Sequence, residues 1–308
     1  MVWLCAKLTL RDNSFLMQLP SFLSSPFKLL QIATVSVFAA RGWQHLYWDA
    51  PYRTLLWDER WMKGIVESVF GMTWSDYVSD MRADAAIDAF TRGMGCFYIL
   101  CAICAIMLPR WKRIASWALI AGSVGLFFLA FLYTKEKFFF AGEFLEYALQ
   151  FSTPVFLVWL YRMGEPSVRF LNALKIAIAL TFTAHGLYAV GFYPRPANFI
   201  EMTMKILYLS QQDAISFLKI VGTLDFVVSI CIFLPWRKPV MIALTYAALW
   251  GFATALARTW AYFIPYFWAN SLAQWLHETV MRLPHALVPL VVWVCVAKYL
   301  VRGTKARV

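Results

Sequence analysis

Charged side chains are scarce in this sequence, at 15% of its 308 residues, whereas 61% of the residues are hydrophobic and the mean hydropathy is +0.62. So little polar surface cannot cover a soluble globule of this size, so the composition excludes that class of protein. Acidic residues are fewer than basic ones, 17 against 28, which leaves a net charge of +11. We therefore predict an integral membrane protein.

The motifs of several enzyme and nucleic-acid-binding classes are missing. The sequence has no P-loop, no dinucleotide-binding glycine fingerprint and no nucleophile-elbow context for a Ser/His/Asp or Cys/His arrangement. No helix-turn-helix, zinc-finger or RNA-binding signature accompanies the basic residues, so we expect no nucleic-acid partner. The cysteines number six, and all but Cys5 lie in apolar stretches, where a thiol acts as a small hydrophobe.

Long apolar runs dominate the chain. A run of about 20 mainly apolar residues is long enough to cross a bilayer as a helix. Eight stretches meet this description, at roughly 28–48, 88–108, 112–133, 139–161, 170–192, 213–235, 239–262 and 282–301. We therefore predict an all-α fold with eight transmembrane helices.

Basic residues predict the orientation of these helices, because cytoplasmic connections carry an excess of lysine and arginine. With eight spans, the basic residues of the termini and of every second connection fall on one side, and the acid-rich connection after the first span falls on the other. We therefore expect a multi-pass protein of the bacterial inner (plasma) membrane, with segment 1–28 and the C-terminus in the cytoplasm. The basic residues are Lys7, Arg11, Lys28, Arg110, Lys112, Arg113, Arg162, Arg169, Arg237, Lys238, Lys298, Arg302, Lys305 and Arg307.

The two halves of the chain resemble each other. FAARGWQHLYW at 38–48 aligns with FTAHGLYAVGF at 182–192, and the second and fourth spans of each half also match in their glycines and polar residues. The aligned pairs are Phe38 with Phe182, Arg41 with His185, Gly42 with Gly186, Arg92 with Lys219, Gly95 with Gly222, Tyr98 with Asp225, Glu146 with Glu278, Gln150 with Arg282, and Thr153 with His285. We predict two repeated four-helix bundles, 29–165 and 170–303, in the same orientation.

The connection after the first helix of each half has its own pattern. In the first half, 55–74 places tryptophans and aliphatic residues at helical spacing among charges, which predicts one helix lying in the membrane interface. In the second half, Ser210 and Asp213 are spaced as a capping box for the sixth span.

These features together resemble a known family. A first helix that ends in a small and polar element, RG at 41–42 and HG at 185–186, precedes an aromatic connection and a glycine-bearing second helix with Asp225. This arrangement is similar to the DoxX-like superfamily, which includes the small subunit of thiosulfate:quinone oxidoreductases, the methylamine-utilisation protein MauE and the related HTTM domain. The family's acidic residue in the second helix is matched by Asp225, whereas the first half has Tyr98 there. The resemblance implies the fold, whereas its members differ in function.

Ionisable residues in the spans lie mostly towards the outer side. Such a residue costs roughly 2.5–3.5 kcal/mol on insertion scales, so it is kept for a reason. The inner halves, such as CFYILCAICAIML, have no charge apart from helix ends. We predict a polar cup that is open outward and closed beneath, formed by Arg41, His45, Arg92, Glu143, Glu146, His185, Lys219, Asp225, Arg258, His277, Glu278, Arg282 and His285.

Some of these charges are spaced to pair within one helix. Asp84, Asp88 and Arg92 form one such series, and Glu278 and Arg282 form another. One interpretation is that the pairs only fix the helices to one another. A haem would need two facing histidines, such as His185 and His285, but no attachment or supporting signature accompanies them, so we expect neither a haem nor a metal site.

The other interpretation is that the cup holds a ligand. We expect a redox-linked, DoxX-like subunit that binds a quinone headgroup or a small anion, with donors that stabilise charge on the ligand's oxygens. The alternative is a non-enzymatic accessory or assembly subunit of a larger membrane complex, with a structural or lipid-filled cup. Membrane lipids and another membrane or extracytoplasmic subunit are the expected partners. The predicted proton-carrying residues are Glu146, His185, Glu278 and His285, and the predicted binding residues are Arg41, His45, Arg92, Lys219, Asp225 and Arg282.

Overall fold

A computed structural model describes residues 24–299, which form helices joined by turns and loops, with no strand in that range. The all-α prediction is therefore confirmed for this part of the chain. The predictions for segment 1–23 and for the basic residues after Tyr299 lie outside the described residues. The helices are α1 (Pro26–Tyr47), α2 (Arg53–Leu56), α3 (Glu59–Ile65), α4 (Trp74–Ser79), α5 (Met81–Met107), α6 (Lys112–Glu136), α7 (Ala141–Glu146), α8 (Ala148–Met163), α9 (Val168–Val190), α10 (Ala197–Leu207), α11 (Gln211–Cys231), α12 (Arg237–Tyr262), α13 (Trp268–Val280) and α14 (Pro284–Tyr299).

Side-chain caps define the starts of the long helices. The Ser25 and Ser167 hydroxyls accept hydrogen bonds from backbone N–H groups in the first turns of α1 and α9. At α11 the predicted capping box is confirmed: Asp213 N–H donates to Ser210 Oγ at 3.2 Å, and that hydroxyl donates to the Asp213 carboxylate at 2.6 Å. Gly191 ends α9 in a left-handed conformation, with φ of 90°.

Six helical segments between residues 24 and 299 are long and apolar enough to cross a membrane. Four of them match the predicted spans 88–108, 112–133, 170–192 and 239–262, and the other two match the sixth and eighth. The chain is therefore a multi-pass membrane protein. The predicted first and fourth spans are also helical, but they are not both long and apolar enough to belong to this set. Helix α1 is interrupted by polar residues. The fourth span breaks at Tyr147, which leaves a 16-residue α8. The six segments are Met81–Met107, Lys112–Glu136, Val168–Val190, Gln211–Cys231, Arg237–Tyr262 and Pro265–Lys298, the last of which contains α13, a turn and most of α14.

Four helices meet at the centre of the molecule. Helix α1 packs against α8 and α14, and α9 packs against the same two helices. Helices α5 and α6 lie outside on one side, and α11 and α12 lie outside on the other. The buried core runs through this bundle, with fully or nearly fully buried residues such as Phe38, Tyr98, Leu157, Phe170 and Val291.

The connection between α1 and α5 differs from the single interfacial helix predicted for 55–74. It forms the short helices α2, α3 and α4, with a π-helical turn after α3 at Val66–Phe70. Asp58 adopts an extended conformation ahead of α3, and Gly71 adopts the left-handed conformation with φ of 62°, so both interrupt the helix. Trp61, Val69 and Phe70 are nevertheless exposed, as expected for residues at a membrane interface.

Ion pairs fasten this connection to the bundle. Arg53 contacts Asp84 at 2.9 Å and also contacts Asp88, so the expected pairing of those two aspartates with Arg92 is wrong. The reason is that the connection folds back onto the start of α5 and places a guanidinium beside both carboxylates. Lys135, at the end of α6, contacts Asp58, and this contact lowers the pKa of the Asp58 carboxyl.

One charge contradicts the expectation of an uncharged inner half. Lys175 lies about two turns after the start of α9 and is only 6% exposed. Helix α9 packs against α7, α8, α11 and α14, which together cover much of its surface. The inner side of the bundle is therefore mostly, but not wholly, free of buried charge.

Candidate functional site

A carboxylate between two arginines lies in the second half of the chain. The Glu278 carboxylate accepts a hydrogen bond from Arg258 Nε at 3.3 Å and contacts Arg282 Nη1. His277 Nε2 lies 3.7 Å from the same carboxylate. The predicted pairing of Glu278 with Arg282 is thus confirmed, although Arg282 lies in the turn that follows α13. The structure adds Arg258, which comes from the neighbouring helix α12.

A break between two helices brings these residues to the interior. Helix α13 ends at Val280 and α14 begins at Pro284, because proline cannot continue the hydrogen bonding of the preceding turn. The intervening turn carries Arg282, and His285 follows in the first turn of α14. Thr279 fixes the approach of α12, since its hydroxyl donates to the Ala255 carbonyl at 2.8 Å. The break therefore aims charged and polar side chains into the bundle.

Arg41 extends this cluster into the first half of the chain. It is 2% exposed, and its guanidinium donates to Gln44 Oε1 and to Gln150 Oε1, each at 2.7 Å. The rings of Tyr133 and Tyr147 each lie 5.3 Å from the guanidinium carbon. Arg41 is also near enough to Glu278 and Arg282 for electrostatic interaction, so the two halves meet at this point.

Glu146 lies at the corresponding break in the first half. It is the last residue of α7, is 8% exposed, and interacts electrostatically with His185 and Arg282. Its neighbour Glu143 accepts a hydrogen bond from Tyr188 Oη at 3.2 Å. The acidic residues of α7 therefore face the second half, while the basic Arg41 faces the acidic Glu278.

A cavity of about 270 Å³ adjoins the cluster in the second half. Helices α9, α10, α11 and α12 supply walls that are almost wholly apolar, including Phe182, Met202, Phe217 and Trp250. The polar residues that line it are Thr203, Thr254, Asp225, His185, Arg258, Arg282 and His285, of which the last four lie close to one another. The cavity thus has an apolar body and a polar end, as is usual for small-molecule sites.

Helix α10 covers one side of the cavity. Two of its own residues, Met202 and Thr203, are buried and line the cavity, and the helix is attached to α12 through Glu201. The Glu201 carboxylate pairs with Lys205 Nζ at 2.7 Å and accepts a hydrogen bond from Tyr262 Oη at 3.0 Å. Both contacts lower the pKa of that carboxyl. A short amphipathic helix therefore separates the cavity from its surroundings.

Two buried atoms of the cavity lack hydrogen-bond partners among the described residues. One is Oδ1 of Asp225, a residue that is 2% exposed, and the other is Nε2 of His285, which is 3% exposed. The opposite ring nitrogen of His285, Nδ1, lies 2.9 Å from the Arg282 carbonyl oxygen. The rings of His185 and His285 face each other with centroids 5.3 Å apart. Six other buried side-chain atoms in the described part of the chain, among them Tyr98 Oη and Gln150 Nε2, also lack partners, so this feature is not confined to the cavity.

The structure separates the predicted site residues into groups. His185, Asp225, Arg282 and His285 line the cavity, while Arg41, Glu146 and Glu278 belong to the adjoining cluster. The remaining three lie elsewhere. Arg92 and Lys219 are exposed because they lie on outward faces of α5 and α11. His45 is buried, but its nitrogens contact the Arg41 carbonyl oxygen at 2.7 Å and Tyr52 Oη at 3.1 Å, so it acts within the core of the first half.

Two cavity features were not among the predicted proton-carrying and binding residues, although Arg258 belongs to the predicted cup. Arg258 is the only charged residue in the apolar stretch 239–262, which is itself a signal that it has a partner inside the bundle. No feature of the sequence indicated that α10 covers a cavity. Its apolar residues predict an interfacial helix whether or not a cavity lies beneath them. Within residues 24–299, no group of three His, Cys, Asp or Glu side chains is placed to hold a metal ion.

Comparison with known proteins adds no identification. The chain matches no protein-family model, no curated protein and no solved structure.

Proposed function

We propose that this membrane protein binds a quinone, with the headgroup in the cavity between α9, α10, α11 and α12. The observation that carries the proposal is the joining of apolar walls to a polar end formed by Asp225, Arg258, Arg282, His185 and His285. A volume of about 270 Å³ is just below the range of ~300–1,000 Å³ typical of small-molecule pockets. It suits a single substituted ring, whose isoprenoid tail would then extend between helices into the lipid.

The polar end supplies the chemistry that a quinone headgroup requires. A guanidinium such as that of Arg282 favours negative charge on a quinone oxygen, and an imidazole such as that of His285 can exchange a proton with it. Glu278 holds Arg258 and Arg282 in place from behind. On this proposal the protein is a redox-linked subunit, and a partner in or beside the bacterial inner membrane exchanges electrons with the bound quinone.

We infer further that the chain is a duplicated DoxX-like unit with eight spans, divided at 29–165 and 170–303. The helix contacts support this, because α1 packs on α5 as α9 packs on α11, and α6 packs on α8 as α12 packs on α14. The fourth helix of each half is broken, and an aligned glutamate, Glu146 or Glu278, lies at or close to the break. We place both termini in the cytoplasm, on the basis of the basic residues.

The two proposed units differ where the cavity lies. Asp225 lines the cavity in the second half, whereas the aligned residue of the first half is Tyr98. Tyr98 is fully buried, and its ring lies 5.9 Å from that of Phe38 and 5.1 Å from that of His45. A large aromatic side chain thus occupies the first half at the position where the second half has a short carboxylate. This difference supports assigning the ligand to the second half.

Extraction of the purified protein tests the proposal. We expect organic extraction and mass analysis to find about one quinone per chain, displaced by a headgroup analogue. Arg282→Ala or His185→Ala should lose the quinone, while Arg92→Ala, a change on an exposed face of α5, should retain it. Size-exclusion profiles would show whether each variant is folded. Absence of quinone from the wild type, together with no uptake of added quinone, would overturn the proposal.

The second candidate is an accessory subunit without a ligand of its own. It is favoured by the hydrogen bonds and ion pairs within the cluster. Arg41 donates to Gln150, and Arg258 and Arg282 both contact Glu278. Such pairs can hold helices together without any further role. In this case another polypeptide or a phospholipid should copurify in a fixed ratio, and Arg282→Ala should weaken that assembly.

A further inference from the structure

We propose that the polar end of the cavity binds an oxyanion, a headgroup in which two conjugated oxygens share one negative charge. An ionised hydroxyl group on a quinone ring has this chemistry, and so has the carboxylate of a fatty acid. The inference rests on the proposed function for the place of the ligand and deepens it by naming the charge of the headgroup. The unpartnered donors of the cavity and the charge of its two arginines support it.

Most N–H groups of the two cavity arginines have no partner. Arg258 donates through Nε alone, to the Glu278 carboxylate at 3.3 Å. Arg282 donates through Nη1 alone, to the Glu278 carbonyl oxygen at 2.9 Å and to the Glu278 carboxylate. The other two nitrogens of each guanidinium have no hydrogen-bond partner within residues 24–299, and they are not fully buried. Both side chains line the cavity, so these nitrogens can donate to a ligand there.

The unpartnered acceptors of the cavity are less available than these donors. Nε2 of His285 and Oδ1 of Asp225 have almost no accessible surface. His185 also lines the cavity, and its neutral ring carries one further N–H donor. A ligand at the polar end therefore meets mainly donors, and the atoms that match them are oxygens that accept.

Two guanidinium groups share one carboxylate at this end of the cavity. Glu278 lies within ion-pair distance of Arg258 and of Arg282, and no other carboxylate in the described part of the chain does. Glu146 acts on both arginines only from a greater distance, and the positive charge of Arg41 lies nearby as well. One positive charge thus has no counter-ion in direct contact, and water screens it little beside an apolar cavity. A bound anion would supply that counter-ion.

The geometry of the arginines suits an anion with two oxygens. A guanidinium is a planar fork that donates to two neighbouring oxygens at once. Arg258 comes from α12 and Arg282 from the turn after α13, and Glu278 holds both of them, so the donors are in place before a ligand arrives. An ionised headgroup gains the attraction of the unpaired positive charge, which a neutral headgroup of the same size does not.

Two matched pairs of ligands test this inference. The purified full-length protein in detergent is titrated at mildly alkaline pH with lawsone, a naphthoquinone whose ring hydroxyl group is then ionised, and with the neutral methyl ether of lawsone. The second pair is lauric acid, also ionised, and its methyl ester. We expect lawsone to bind about tenfold or more tightly than its ether, the effect of one hydrogen bond between charged rather than neutral partners. The laurate pair shows whether a fatty acid is an alternative source of the oxyanion.

Variants of two cations on α12 connect the preference to the cavity. Arg258→Gln leaves Glu278 with Arg282 alone, so no unpaired positive charge remains and the preference for lawsone over its ether should disappear. Lys238→Gln removes an exposed positive charge from the other end of the same helix and should leave the preference unchanged. If Arg258→Gln does not fold, Arg282→Gln takes its place, because it also leaves one arginine for Glu278.

The outcomes separate this inference from the function on which it rests. Equal binding of lawsone and its ether by the wild type would overturn the oxyanion and leave the proposed function intact. A preference that is undiminished in the arginine variant would also overturn the inference. Tighter binding of laurate than of its ester, with no binding of either naphthoquinone, would support the oxyanion and overturn the quinone. Failure of all four ligands to bind would overturn both.

Discussion

Gly186 and Gly222 bring α9 and α11 into backbone contact. A Cβ added to Gly186 would lie 2.9 Å from the Gly222 carbonyl oxygen, and one added to Gly222 would lie 3.1 Å from that of Gly186. The same relationship joins α1 and α5, where the corresponding distances at Gly42 and Gly95 are 3.1 Å and 3.2 Å. Small residues allow this approach in membranes, where close packing replaces the hydrophobic effect as the force between helices. Helices α9 and α11 both form walls of the cavity, and their close crossing therefore depends on two residues without side chains, Gly186 and Gly222.

Gly186→Ala should destabilise the protein, because the added methyl group meets backbone that cannot move aside as a side chain does. We expect a loss of about 1–3 kcal/mol, measured as a lower midpoint of thermal unfolding in detergent. Gly93→Ala is the matched control, since a Cβ there meets nothing within 4 Å. A helical Gly93→Ala should be neutral or slightly stabilising. Equal losses from both substitutions would show that the glycine contact has no special role.

Glu278→Gln should cost more stability than Glu146→Gln. Glu278 neutralises Arg258 and Arg282 together, so the amide leaves two guanidinium groups without their carboxylate. Because the Glu278 side chain is 23% exposed, we expect a loss of about 2–4 kcal/mol, somewhat less than the ~3–5 kcal/mol of a fully buried pair that loses one partner. No ion pair to Glu146 occurs among the described residues, so its amide should cost less than about 1 kcal/mol.

Ligand retention distinguishes a structural role of Glu278 from a functional one. The variant Glu278→Gln should lose bound quinone even under conditions where it remains folded, because Arg258 and Arg282 are no longer held. The double variant Glu278→Gln with Arg282→Gln should recover part of the stability, since one unpaired charge is removed. Equal folding yields for Glu278→Gln and Glu146→Gln, with ligand binding untouched in both, would contradict a special role for Glu278.

Acid should release the connection between α1 and α5. The Lys135 contact lowers the pKa of Asp58 below its ordinary value, so it stabilises the connection above an unfolded carboxyl pKa of about 4 and is lost as the pH falls through the folded value. Hydrogen exchange of residues 58–80, corrected for its intrinsic pH dependence, should therefore accelerate below that pKa. Asp58→Asn should give the faster exchange already at neutral pH. Exposed Glu67→Gln serves as the control and should not.

The topology can be tested by labelling in intact cells. Ser75→Cys lies in the connection between α1 and α5, and Arg110→Cys lies in the turn between α5 and α6; both positions are exposed. If the cup opens away from the cytoplasm, an impermeant thiol reagent should label Ser75→Cys above the wild-type background and Arg110→Cys only after lysis. The reverse pattern would invert the orientation.

Sequence periodicity and charge predicted an all-helical membrane protein and the pairing of Glu278 with Arg282. Apolar length located six of the eight predicted spans, and the spacing of Glu278 and Arg282 predicted their pairing, because both depend on residues that are close in the sequence. The pairing of Asp84 and Asp88 with Arg53 was missed for the opposite reason. It depends on how a loop folds back, and no periodic pattern records that.

The cavity was harder to predict than the charges around it. Its polar residues stand out in apolar spans, but its volume depends on the packing of α10 over α11 and α12. Arg92 and Lys219 show the limit of depth as a guide, since they lie at the predicted height and yet point outward. Depth in the membrane follows from position along a helix, whereas the face that a residue occupies follows from contacts between helices.

Filling the cavity should abolish binding without unfolding the protein. Asp225→Tyr places at this position the residue type that the first half has at Tyr98, so the ring should occupy the space proposed for the headgroup. A ligand present at about 100 times its Kd stabilises the folded state by about 2.7 kcal/mol, so added quinone should raise the unfolding midpoint of the wild type. Asp225→Tyr should show no such rise. Val227→Tyr, on the same helix but 47% exposed, should respond as the wild type does. A rise that persists in Asp225→Tyr would mean that the ligand binds somewhere other than this cavity.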